Sequence, residues 1–317
     1  MKILITGIHG FVGSNLVKTL SKDNLIYGLD IVSPQKEGIK YTFSWDYLDK
    51  EDGIPDVDAI IHLAGKAHDT KNQSAADVYF KVNTDLTKKV FDYFLAHRSI
   101  KKFVFFSTAK AAADKVDGIL TEDVVPAPVG PYGESKIAAE RYILDSLESR
   151  KDEFKDKQVY IFRPCMIHGP GNKGNLNLLY NVVCKGIPWP LGAFENRRTF
   201  TSVENICFAV NGVLTKDVPS GIYNMGDDEA LSTNELIEEI CKSLGKKAHI
   251  WKLPKGLMNG FAKLGGWMHL PLNPERMQKL TENYISSNAK IKKALEVEKM
   301  PVDARAGLQH TLKSFRT

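Results

Sequence analysis

The first sixteen residues, Met1-Lys-Ile-Leu-Ile-Thr-Gly-Ile-His-Gly-Phe-Val-Gly-Ser-Asn-Leu16, decide the fold. Lys2 to Thr6 is an apolar run long enough for one buried strand. It stops at Gly7, and beyond it Val12, Leu16, Val17 and Leu20 recur on one helical face. Strand, glycine turn and helix in that order open a dinucleotide-binding βαβ unit. Gly7 permits the tight turn, Gly10 lets a diphosphate approach bare backbone, and Gly13 lets the helix pack on the sheet. The helix N-terminus then offers free N–H groups and a partial positive charge to an anion. The spacing is G-x-x-G-x-x-G, not G-x-G-x-x-G. Three glycines alone also fit an ordinary strand-to-helix turn, so the flanking strand and helix carry the reading. His9, inside the loop, reads as incidental.

A second strand, Leu25 to Asp30, ends on an acid seventeen residues after Gly13. An acid there suits the two hydroxyls of an adenosine ribose and repels a 2′-phosphate, which selects NAD over NADP. Ile39–Trp45, Asp58–Ala64, Lys102–Thr108 and Val159–Arg163 are further strands, and Val78–Ala96 and Tyr132–Arg150 are helices. Strands apolar at nearly every position, alternating with helices, predict an α/β fold with a Rossmann-type doubly wound parallel sheet. The loop Ala109–Gly130 shows no period, and connections of that length usually serve function.

From Pro164 the texture changes. A Gly- and Asn-rich loop, 168–175, precedes a helix at Leu176–Lys185. Val203–Leu214 is helical, Gly221–Met225 is a strand that returns to the sheet, and Ser232 to Glu235 is a capping box. Short helices continue to the end, the last starting at Pro301. The chain thus divides into an NAD-binding domain, 1–165, to which 200–228 returns, and a smaller, mostly helical substrate lobe, 166–199 and 229–317. Met258 to Met268 has one apolar face; packing in the core or a lid is preferred to a membrane surface, because no dense basic band accompanies it.

Composition narrows the class. With 317 residues, 43% hydrophobic and 26% charged, the chain reads as a soluble globular protein in two unequal parts. A net charge of +5 permits an anionic substrate but argues for no nucleic acid. Cys165, Cys184, Cys207 and Cys241 are too scattered for a zinc site or a disulfide scaffold, so no metal is expected and a cytoplasmic location is. No signal peptide and no membrane span are expected.

Tyr132 and Lys136 are one helical turn apart and share a face. A free tyrosine titrates near pH ~10 and is a poor base at neutrality. An adjacent ammonium stabilises the phenolate and makes it a base able to take a proton from a sugar hydroxyl. Thr108, at the tip of a buried strand, can donate a hydrogen bond to the same oxygen. A Y-x-x-x-K match arises readily by chance. Its position, after a hydroxyl-tipped strand and a loop in a chain that begins with a dinucleotide turn, gives it weight.

The chain resembles an extended short-chain dehydrogenase/reductase of the NAD-dependent sugar epimerase/dehydratase family, in its UDP-glucose 4-epimerase-like branch. The likeness runs from TGIHGFVGSNL through Asp30, HLAG (62–65), FKVN (80–83), FFST and PYGESK to FRPCMIHGPG (162–171). It implies Thr108, Tyr132 and Lys136 as the catalytic set, with Lys136 also on the nicotinamide ribose. It implies Gly7, Gly10, Phe11, Val12, Gly13 and Asp30 on the cofactor, Asp46 and Tyr47 at the adenine, and Leu63, Ala64 and Lys66 along it. Asn83 falls near the active-site backbone, and Pro164 to Ile167 against the nicotinamide. Asn175, Leu176 and Arg198 sit where relatives grip a nucleotide diphosphate, and Arg276 adds a weaker match. Arginine suits that task because its planar fork binds two phosphate oxygens at once. A homodimer through a four-helix bundle of Val78–Ala96 and Gly133–Arg150 is also implied.

Departures from the family pattern choose among reactions. The 4,6-dehydratases follow the catalytic threonine with Asp-Glu, whereas this chain has Ala109 and Lys110. Ala109 cannot move a proton. Lys110 keeps half of the Asp-Lys of inverting dehydratases and is otherwise an exposed lysine; on the former reading it is a substrate contact. His168 replaces a common tyrosine and stands to alter the cofactor wall. The leading expectation is a nucleotide-sugar 4-epimerase, with UDP-hexose as substrate and NAD as cofactor, serving polysaccharide synthesis. An NAD(P)H-dependent 4-keto-sugar reductase is the alternative. An inverting dehydratase ranks lower, and a non-catalytic cofactor-sensing scaffold lowest.

Overall fold

The structure, a computed structural model, describes residues 1–50, 53–67, 75–172, 174–267 and 273–316, without the side chains of 265–267, 275 and 276. The chain begins with β1 (Lys2–Thr6), α1 (Phe11–Leu20), β2 (Leu25–Leu29) and β3 (Tyr41–Phe43). After β4 (Ala59–His62), α2 (Ala76–Tyr79) passes through a π-helical stretch, Phe80–Asp85, into α3 (Leu86–Ala96). Then come β5 (Lys102–Phe106), α4 (Ala109–Ala112), β6 (Ile119–Leu120), α5 (Pro131–Ser149) and β7 (Gln158–Pro164). The later part holds β8 (Met166–His168), α6 (Asn175–Cys184), β9 (Phe200–Ser202), α7 (Val203–Thr215) and β10 (Gly221–Met225). It ends with α8 (Thr233–Ser243), α9 (Lys255–Trp267), α10 (Pro274–Thr281), β11 (Ile285–Ser286), α11 (Ala289–Leu295) and α12 (Ala304–Ser314).

Seven strands form one parallel sheet in the order β3-β2-β1-β4-β5-β7-β10. The chain starts in the middle, winds outward to β3, then crosses β1 and winds the other way. That reversal between β1 and β4 opens a crevice at the C-terminal strand ends, where doubly wound folds bind ligands. The strands read as apolar runs because successive side chains enter opposite cores. Val104 and Phe106 join the cluster under α1, α7 and α11, while Phe103 and Phe105 join the one under α3 and α5. A side chain so buried contributes about 1.5–3 kcal/mol. A third cluster, built by α6, α8, α9 and α12, lies outside the sheet.

Several elements differ from their sequence readings. The stretch expected as a strand from Ile39 to Trp45 pairs only over Tyr41–Phe43, and Trp45–Asp49 is a 3-10 turn. The loop Ala109–Gly130 holds α4 and a strand, β6, that pairs with β11. The last helix starts after Pro301, at Ala304, because the Asp303 carboxylate caps it by accepting from the Ala306 N–H at 2.8 Å. The Ser232 capping box forms with both of its hydrogen bonds.

Candidate active site

The glycine turn is built for close approach. Gly7 has φ +67°, and its N–H donates to the Leu29 carbonyl at 2.9 Å, anchoring the turn to β2. A methyl group at Gly13 would stand 2.6 Å from the Ile8 carbonyl oxygen and 2.7 Å from that of Gly7. No side chain caps α1, so its first N–H groups stay available to an anion. Asp30, one residue past β2, accepts from the His9 N–H at 3.0 Å and the Ile31 N–H at 2.7 Å. His9 is therefore not incidental. Its backbone orients Asp30, and its ring Nε2 lies 3.1 Å from Thr42 Oγ1, tying the turn to β3. Lys36 Nζ donates to Ser14 Oγ at 2.7 Å across the same corner.

A directed chain of hydrogen bonds leaves this turn. The Ala64 N–H donates to Thr6 Oγ1 at 3.1 Å, and Thr6 Oγ1 is 2.7 Å from His62 Nδ1. His62 Nε2 is 2.9 Å from Thr87 Oγ1, whose own proton goes to the Asn83 carbonyl at 2.7 Å. With that proton committed, Nε2 must carry the imidazole hydrogen and Nδ1 must accept from Thr6. His62 is thereby held neutral, and burial, with the Lys136 charge nearby, lowers its pKa to about 3. Asn83 continues the chain from the π-helical stretch, a distortion common at functional sites. Its Oδ1 accepts from the Lys66 N–H at 2.7 Å, and its Nδ2 donates to the Lys66 carbonyl and to Ser135 Oγ. Ser135 Oγ in turn donates to the Tyr132 carbonyl at 3.0 Å.

Helix α5 brings Tyr132 and Lys136 to the end of β5. Gly133, between them, lets α5 approach α4: a Cβ there would meet the Lys110 carbonyl oxygen at 2.7 Å. The alanines of α4 leave room for the same contact. Lys136 is buried, donates to the Phe106 carbonyl at 2.8 Å, and lies 4.9 Å from the Phe105 ring centroid. A Cβ on Gly65 would sit 3.1 Å from its Nζ, and one on Gly7 would sit 3.0 Å from the Ala64 backbone. Glycine turn, β4 exit and lysine are thus in contact in series. Burial lowers the Lys136 pKa to about 8, partly offset by Glu140. Tyr132 departs from the expectation that lysine lowers its pKa. Burial pushes the phenol up, the Thr108 hydroxyl pulls it back, and the Lys136 ammonium is engaged by Phe106 instead.

A family model described as "NAD dependent epimerase/dehydratase family" matches residues 3–226. The chain belongs to the NAD dependent epimerase/dehydratase family. It is 30% identical over 287 residues to UDP-glucose 4-epimerase of Vibrio cholerae, covering 80% of this chain and 78% of the relative. It is 27% identical to N-acetyl-alpha-D-glucosaminyl-diphospho-ditrans,octacis-undecaprenol 4-epimerase of Escherichia coli O157:H7, over 92% of this chain and 84% of the relative. Its fold matches that of UDP-glucuronic acid 4-epimerase from Bacillus cereus in complex with NAD, with TM-score 0.75, 21% identity, and 100% and 99% of the two chains covered. As a member of the epimerase/dehydratase family the chain is an NAD-dependent enzyme. The residues present fit NAD: a left-handed glycine, a cradle that a Cβ would fill, an open helix N-terminus, and a carboxylate, Asp30, at the end of β2 beside the turn.

The remaining residues singled out from sequence scatter around this centre. Phe11 and Val12 open α1, and the Gly169-Pro170-Gly171 turn closes on Phe11 while Asn15 Nδ2 donates to the Pro170 carbonyl at 3.0 Å. Tyr47 packs on Phe43, and Lys50 lies 3.7 Å over the Tyr47 ring while pairing with Asp46. Leu63 and Ala64 follow β4, Pro164 ends β7 beside β5, and Ile167 lies in β8. Lys110 Nζ pairs with Asp114 at 2.5 Å. Asn175 is exposed at the start of α6, but Leu176 is 2% exposed within the third core. Its side chain therefore packs the lobe, and only its backbone can face a ligand. Arg198 donates to the Lys279 carbonyl of α10, and its charge is felt at Cys165 and Tyr284, which cluster with Ala109 and Ala112 beside Thr108. The Arg276 side chain lies outside the described residues. His168 does not line a cofactor wall: it is buried, with Nδ1 2.9 Å from Thr311 Oγ1 and Nε2 3.4 Å from Asp227.

Sequence reasoning passed over His62, Glu140 and Arg163. Glu140 follows Lys136 by one turn, accepts from Ser107 Oγ, and is clasped by Arg163 of β7. The i+4 spacing from Lys136 was the available signal.

Proposed function

We propose that this enzyme is a nucleotide-sugar 4-epimerase, with a UDP-hexose as substrate. The observation that carries the reading is that buried Lys136 stands against Gly65 at the exit of β4, next to the glycine turn, while Tyr132, one helical turn before it, is hydrogen-bonded by Thr108. The Tyr132 oxygen exchanges a proton with the C4 hydroxyl. Thr108, which already hydrogen-bonds Tyr132, lowers the cost of ionising it, and the buried Lys136, one helical turn onward, supplies positive charge to the site. NAD supplies the hydride acceptor and, after the 4-keto sugar turns over, the donor to its other face. Arg198, with Asn175 and the segments 166–199 and 229–317, holds the diphosphate end. Ala109 has no proton to transfer and Lys110 is engaged by Asp114, so the acid–base pair of a 4,6-dehydratase is missing. The Vibrio cholerae relative supports epimerisation over reduction.

Purified protein incubated with UDP-glucose and UDP-N-acetylglucosamine tests this. The expected product is the C4 epimer, with no net change in reduced cofactor. Steady consumption of NADH or NADPH with a 4-keto sugar, and no epimer, would establish the reductase instead. Tyr132→Phe should lower kcat by about 10²–10⁴ with NAD binding intact.

On the same proposal the enzyme is a cytoplasmic homodimer. Four unpaired cysteines suit a reducing compartment. Val78, Phe80 and Leu144 lie 36–40% exposed on the helices that would form the four-helix bundle. Sedimentation of wild type against Phe80→Glu/Leu144→Glu tests the assembly.

A further inference from the structure

Helix α9 has two apolar faces, and only one of them is covered. Met258 and Ala262 point into the third core, at 3% and 2% exposure. Leu257, Phe261 and Leu264, spaced i, i+4 and i+7, share another face and remain 49–52% exposed. Trp251, four residues before the helix, is 54% exposed. Single exposed apolar side chains are ordinary, but a row of them on one helix marks an interaction surface.

Charge identifies the partner. From 240 to 274 the sequence has six lysines and no aspartate or glutamate. Lys252, Lys255 and Lys263 are exposed, and among the described residues no carboxylate pairs with them. A second copy of the chain meeting this face two-fold would set lysines against lysines, which opposes self-association. An apolar row within an acid-free, lysine-bearing stretch suits an anionic surface with an apolar interior.

We propose that α9 docks the protein on an anionic lipid bilayer; the core packing expected from the sequence holds for its Met258–Ala262 face, and the exposed row is the face left for the membrane. The Leu257–Phe261–Leu264 row enters the headgroup–acyl boundary, and the surrounding lysines rest against lipid phosphates, their long stems reaching to the headgroups. Helix α9 packs on α10, whose Lys279 carbonyl holds the Arg198 guanidinium. A sugar diphosphate anchored in the same bilayer would therefore meet Arg198 one helix from the lipid. That consequence rests on the function proposed above; the docking does not.

Co-sedimentation of the full chain with vesicles of phosphatidylcholine plus phosphatidylglycerol, against phosphatidylcholine alone, tests the docking. Binding should require the anionic lipid and weaken as salt is raised. Replacing Leu257, Phe261 and Leu264 together by serine should reduce binding about tenfold or more while leaving thermal unfolding unchanged, since these side chains are half in water already. Lys252→Glu/Lys255→Glu should reduce it too. Phe261→Trp keeps the apolar row, and its emission should shift to the blue on anionic vesicles. The proposal is overturned by absence of binding at low salt, or by binding that survives the triple substitution. It is equally overturned if the triple substitution changes the sedimenting mass without vesicles, which would make this a protein–protein face.

Discussion

Arg163 clasps Glu140 in a buried two-pronged pair, with Nη2 2.5 Å from Oε2 and Nε 3.0 Å from Oε1. Glu140 is fully buried and Arg163 is 1% exposed. The same carboxylate accepts the Ser107 hydroxyl, so it fixes the residue before Thr108. Breaking a buried pair leaves one charge uncompensated and costs about 3–5 kcal/mol, whereas apolar replacement of both partners costs far less. Glu140→Ala should therefore shift the urea midpoint strongly, and Glu140→Leu/Arg163→Met should recover most of the loss. Equal losses in both variants would show that the pair is not an energetic unit.

His62 makes stability depend on acid. Folded, it is neutral, with a pKa of about 3; unfolded, it has the ordinary value of 6.5. The unfolded chain thus binds the proton first as pH falls. The stability contributed by neutral His62 is complete above pH 6.5 and is lost progressively as pH falls through about 3, by about 5 kcal/mol in all. His62→Gln should flatten the fall of Tm between pH 6.5 and 4 relative to wild type. An unchanged slope would assign the acid sensitivity to carboxylates instead.

Features with a local period were legible in the sequence. The β1–turn–α1 unit, the buried parallel strands and the Ser232 capping box each declare themselves within a dozen residues. What was not legible depends on distant partners. Glu140 and Arg163 are 23 residues apart and meet only because α5 lies beside β7. His62 looked like one more residue of an apolar strand until Thr6 and Thr87 supplied both its partners. The π-helical stretch at Phe80–Asp85 has no signature in apolar spacing, and four residues of α4 cannot show a helical period. Leu176 and His168 were placed near ligands by motif position, whereas packing and a histidine–Asp227 contact turn both inward.

Gly13 tests the cofactor cradle. Both atoms nearest a Cβ there are backbone carbonyl oxygens, at 2.6 and 2.7 Å, so neither can rotate aside. The added methyl must push α1 off the turn, at a cost of about 1–3 kcal/mol. Gly13→Ala should weaken NAD binding by about tenfold or more in calorimetric titration. Gly260→Ala, with open space at its Cβ, should leave it unchanged.

Lys136 sets the upper limit of the pH range for turnover. Its ammonium is intact below a pKa of about 8 and is lost above it, so kcat should fall as pH rises through that value. The groups facing it are His62 from β4, the Phe106 carbonyl, and the Glu140 carboxylate, already shared with Arg163. His62 is neutral throughout this range, and Glu140 is the neighbour that raises the lysine pKa. Glu140→Gln keeps the shape but removes the charge, so the falling limb should move to lower pH. Lys136→Met should abolish the limb along with most of the activity. A limb at the same pH in wild type and Glu140→Gln would mean that another group controls it, and that the carboxylate one turn beyond the lysine serves packing alone.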